Sequence, residues 1–86
     1  MAHHCLGMAL FELQKFDEAA QEFREVLRLA PGAAYHYDLA ACLMTMGLYG
    51  QALAELETAA RMAPGQQLYG VRKQELIRLI NTQAAR

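Results

Sequence analysis

Three histidines, two cysteines and Asp38 are the side chains of these 86 residues most suited to chemistry. His3, His4 and Cys5 are consecutive, so on a helix they fan around the axis. Helical metal sites instead place ligands at i and i+3 or i+4. Asp38 stands two residues from His36, and that spacing on a helix points the two side chains apart. The chain has no Ser, and neither Cys5 nor Cys42 has a base that the sequence places beside it. No Gly-rich loop follows a strand, because nothing in the sequence reads as a strand. These residues therefore predict no catalytic site, no metal centre and no cofactor, and the protein is not expected to be an enzyme. Both cysteines read as buried free thiols, which suits a reducing compartment.

The elements that carry these residues are helices. Ala, Leu, Met, Gln, Glu and Arg dominate, all good helix formers, with no Trp and two Pro. No stretch alternates β-branched and aromatic residues, so the expected class is all-α. The length fits one small domain with a thin core. Yet 55% of the residues are apolar. Such a chain packs very regularly or covers part of its apolar surface with another chain.

Charge is unevenly spread. Residues 1–65 carry eight acidic side chains against Lys15, Arg24, Arg28 and Arg61. Residues 66–86 carry Arg72, Lys73, Arg78 and Arg86 against Glu75 alone. The formal net charge of −1 argues against nucleic acid as a partner. No apolar run approaches the ~20 residues of a membrane span, and no signal peptide is recognisable, so a cytoplasmic location is expected.

The sequence repeats itself. Ala30-Pro31-Gly32 recurs as Ala63-Pro64-Gly65, and a 33-residue displacement gives further identities at His3/His36, Leu6/Leu39, Leu10/Leu43, Ala19/Ala52, Glu22/Glu55 and Arg28/Arg61. Leu6, Leu10 and Leu13 form one helical stripe, and Ala19, Ala20, Phe23, Val26, Leu27 and Ala30 a second. Asp17 is the expected N-cap between them. Pro31 and Pro64 end the second helix of each hairpin. The same spacing predicts helices near 34–46 and 51–62, split at Gly47. Gln14 stands where Gly47 stands, so Gln14 or Lys15 is expected in a strained turn conformation. Leu76, Ile77, Ile80 and Ala84 give a last helix its apolar stripe.

The motif His3-x2-Leu6-Gly7-x2-Leu10, then Ala19-x3-Phe23 and Pro31, resembles the tetratricopeptide repeat. The second copy reads His36-x2-Leu39-Ala40-x2-Leu43, then Ala52-x3-Leu56 and Pro64. Histidine replaces the usual aromatic at each repeat start, and the step is one residue short of the family's. The tight step predicts a short turn at Gly32-Ala33. The resemblance implies an α-α superhelix of about five helices in one domain: repeat 1 over 1–32, repeat 2 over 33–65 and a capping helix over 66–86. It also implies a protein or peptide partner bound on the concave face.

Helix phase puts His4, Met8, Phe11 and Glu12 on that face from the first copy. Tyr37, Ala41, Met44 and Thr45 follow from the second. Co-chaperone members of the family hold a C-terminal carboxylate with Lys, Arg and Asn on this surface. Here His4, Met8, Tyr37, Asp38 and Ala41 occupy the comparable places, and Asp38 would repel a carboxylate. The alternative reading is self-association, with a homodimer burying Met1, Met8, Phe11 and the exposed stripe of the last helix.

Overall fold

Two proline breaks and two left-handed turn residues divide the chain into α1 (Ala2–Glu12), α2 (Phe16–Leu29), α3 (Ala33–Thr45), α4 (Tyr49–Met62) and α5 (Gln67–Ala84). The structure is a computed structural model that describes residues 2–84, with side chains described from 5 to 83. No strand occurs among the described residues.

The turns inside the two hairpins are the same device built from different residues. At the end of α1, Gln14 adopts φ 63°, and at the end of α3, Gly47 adopts φ 81°. Lys15 N–H donates to the Leu10 carbonyl at 2.8 Å and Gln14 N–H to that of Phe11 at 3.0 Å. Leu48 to Leu43 (2.9 Å) and Gly47 to Met44 (3.0 Å) repeat the pattern one repeat later. This double closure around a left-handed residue satisfies the orphan carbonyls of a helix end. Gln14 carries the strain that Gly47 avoids. Asp17 is not the N-cap of α2: Lys15 occupies that position without a side-chain cap bond, and Asp17 lies inside the first turn. There its carboxylate still faces the positive end of the helix dipole.

Between repeats, the residue before each proline is extended, as proline requires: Ala30 at φ −151° and Ala63 at φ −135°. Only residues 30–32 separate α2 from α3. The inter-repeat turn is short, as expected, but it lies at residues 30–32 and not at Gly32-Ala33, because Ala33 already begins α3 behind the N-cap Gly32.

Each helix packs chiefly on its chain neighbours, α1 on α2, α2 on α3, α3 on α4 and α4 on α5. That is the quasi-linear organisation of a solenoid. The smallest extent of the molecule, 17 Å, allows two helix layers and no third. The core is built from Ala19, Ala20, Phe23, Leu39, Ala40, Cys42, Leu43, Ala52, Leu56 and Leu76. Gly7 faces Phe23 closely: a methyl group at Gly7 would stand 2.7 Å from the Phe23 ring. The second repeat solves the same contact with Ala40 and the smaller Leu56. A half-buried bond of 2.6 Å between His36 Nδ1 and Glu55 Oε2 ties α3 to α4.

Two sequence expectations need correction. Leu10 packs on the core, but Leu6 and Leu13 are 47% and 68% exposed. The stripe is real, but among the described residues no helix covers that side of α1. Cys42 is buried as expected, whereas Cys5 is exposed. Burial, followed by the charge of Asp38, pushes the Cys42 thiol up to about 11, with Arg24 opposing.

α5 docks through buried Tyr69 and Leu76, with Ile80 partly buried beside them. Lys73 falls where Gly7 and Ala40 stand in the repeats. A long, half-buried side chain thus stands in α5 where the two repeats carry a small residue.

Candidate functional site

α1 and α3 lie on the same side of the stack, because each begins a hairpin and the next hairpin repeats its orientation. Partly buried apolar side chains that pack against the core, Phe11, Tyr37 and Met44 among them, collect along this side. They form two shallow depressions of about 160 and 120 Å³. The first is lined by Met8, Phe11, Phe23, Asp38 and Ala41. The second is lined by Tyr37, Ala40, Ala41, Met44, Leu56 and Arg72. Both fall below the ~300 Å³ at which pockets begin to enclose small-molecule ligands, so each suits a side chain and not a cofactor.

The two depressions are one seam repeated. Met8, Phe11 and Phe23 of the first become Ala41, Met44 and Leu56 of the second when 33 is added to each number. Ala41 belongs to both, so the depressions adjoin without an intervening ridge at that residue. Small Ala41 leaves room where a longer side chain would divide them.

Neighbouring rings hold the walls in place. Phe11 meets Phe16 edge-on with centroids 5.2 Å apart, and Tyr37 packs against Tyr69 of α5 at 5.4 Å. Such pairs fix ring orientation in addition to burying area. Arg72 reaches the second depression from α5 and donates to Glu75 at 2.9 Å. The hydrogen bond it donates to Glu75, then its hydrogen bond with Tyr37, raises its already high pKa further, so it is a permanent cation. The strip thus carries Asp38 in one depression and Arg72 in the other. Among the described residues no cluster of three His, Cys, Asp or Glu side chains could hold a metal ion.

Five sequence-predicted residues line the depressions: Met8, Phe11, Tyr37, Ala41 and Met44. Glu12 and Thr45 are exposed and line neither, and Thr45 spends its hydroxyl on the Ala41 carbonyl at 2.9 Å. His4 lies outside the residues whose side chains are described. Asp38, Phe23, Ala40, Leu56 and Arg72 complete the lining. Arg72 was legible in one respect: it falls in the 33-residue frame of Leu6 and Leu39. A long cation replacing a packed leucine at that register emerges at the edge of the seam.

A search of curated proteins finds no match to the chain. A tetratricopeptide repeat sequence profile matches residues 6–67, which contain most of α1, all of α2 to α4 and every residue that lines the two depressions except Arg72. With the helical hairpins, the 33-residue step and the match over well more than half its length, the chain belongs to the tetratricopeptide repeat family.

Proposed function

We propose that the chain binds a segment of a partner protein along the strip formed by α1 and α3, with apolar side chains of the partner seated in the two depressions. Tetratricopeptide repeats are generally protein–protein interaction modules, which sets the class of function. The observation that carries the finer reading is the shared residue Ala41, which joins two repeat-equivalent depressions into one continuous apolar strip. Met8 and Met44 on its walls are flexible and polarisable, suited to seating varied apolar groups. Neither depression alone could hold a partner, since useful affinity needs several anchors acting together.

The test is selection of binders from a displayed random-peptide library on the intact chain. Enriched peptides should carry two apolar side chains, and Tyr37→Ala or Met44→Asp should weaken them about tenfold or more. Leu29→Ala, at an exposed position outside the strip, should leave binding unchanged. Peptides that lose affinity with Leu29→Ala and ignore Tyr37 and Met44 would overturn the reading.

A further inference from the structure

The strip is apolar along its length but not neutral. Each depression has one charged side chain in its wall, Asp38 in the first and Arg72 in the second, and the other lining residues are apolar or Tyr37. Asp38 stands half-buried on α3, one turn before the shared Ala41. Arg72 reaches over from α5, bonded to Glu75 at 2.9 Å and to Tyr37. Glu75 lines neither depression, so the guanidinium and not the ion pair forms the wall.

That ion pair leaves Arg72 usable. It is an i, i+3 pair whose side chains are 44% and 50% exposed. Such pairs are worth little in water, and a guanidinium has five N–H donors, enough to serve a second carboxylate. A partner side chain seated in the depression excludes water from it, which strengthens charge pairing at the edge and also like-charge repulsion. A partner carboxylate at the first depression would meet Asp38, and a partner cation at the second would meet Arg72. The two charges therefore sort segments that the apolar walls alone would accept.

We infer that the partner segment is bipolar: a basic side chain flanks the apolar residue seated in the first depression, and an acidic side chain flanks the one seated in the second. The inference rests on the strip being a docking site and adds the partner's charge pattern. Charges so placed give specificity more than raw affinity.

The test repeats the random-peptide selection on the unmodified chain, on Arg72→Gln and on Asp38→Asn, with circular dichroism to check that each variant folds. Peptides enriched on the unmodified chain should carry one basic and one acidic residue beside two apolar ones. Arg72→Gln should remove the preference for the acid and keep that for the base, and Asp38→Asn should do the reverse. A second arm needs no variant of the chain. An enriched peptide whose acidic residue is replaced by its amide should bind the unmodified chain about two- to fivefold more weakly, and added salt should shrink that ratio. Peptides that depend on Tyr37 and Met44 but show no charge preference would overturn the bipolar pattern and leave the docking site standing. An acidic preference that survives Arg72→Gln would also overturn it. Peptides indifferent to Tyr37→Ala and Met44→Asp would overturn both.

Discussion

Gly7 and Phe23 show how single residues set the spacing of this stack. A methyl at Gly7 would stand 2.7 Å from a buried ring, so Gly7→Ala has no room. Overpacking costs about 1–3 kcal/mol, which outweighs the ~1 kcal/mol of helix propensity that Ala brings. Denaturant unfolding should show a net loss of stability, and that loss should shrink when Phe23→Leu is introduced first, since the second repeat already pairs Ala40 with Leu56. Gln14 gives the opposite case. Its φ of 63° strains any side chain by about 1–2 kcal/mol, so Gln14→Gly should raise the unfolding midpoint while Gly47→Ala lowers it. The displacement by 33 made Gln14 legible beforehand, because a missing glycine shows up against its repeat partner. The clash at Gly7 was only half legible: sequence marks the small residue but not which ring fills the space.

Cys42 carries a pH dependence of defined sign. Its folded thiol is held protonated up to about 11, above the reference value of 9.0. The native state therefore retains a proton that the unfolded chain releases, and this contribution, complete below pH 9, is lost as pH rises toward 11. Cys42→Ala should flatten that part of the stability profile. A thiol reagent should label exposed Cys5 in the folded protein and reach Cys42 only on unfolding.

At the scale of elements, helix number, order and the Pro31 and Pro64 stops followed from periodicity and turn chemistry. Burial of each helix face did not. Leu6, Leu10 and Leu13 are equivalent in sequence, yet only Leu10 reaches the core, because burial depends on which neighbour covers a face and not on the stripe itself. The Asp17 cap failed for a related reason: the Schellman-type closure at Gln14 already fixes the entry to α2, and Lys15 takes the capping position. α5 offers a direct check on element packing. Leu76 is fully buried and Leu79 is 46% exposed, so Leu76→Ala should cost about 2–5 kcal/mol and Leu79→Ala under ~1 kcal/mol. Equal losses would mean that α5 does not dock through the stripe containing Tyr69 and Leu76.

For the whole molecule, five helices two layers deep leave a thin core and a long exposed strip, and the high apolar content is divided between them. The strip itself was partly legible. Helix phase found Met8, Phe11, Tyr37, Ala41 and Met44, because residues three and four apart share a face. It missed Phe23 and Leu56, which rise from α2 and α4 to close the seam, and it included Glu12 and Thr45, which sit just past the rim. Only packing between helices decides those four positions.

The central claim is that this strip receives a partner. The most direct measurement is an amide chemical-shift map of the intact chain titrated with a library-selected peptide. The account predicts that the perturbed residues cluster on α1 and α3 around Met8, Phe11, Tyr37, Ala41 and Met44, and extend to Arg72. Perturbations confined to the outer side of α2 and α4, around Leu29 and Met62, would contradict it.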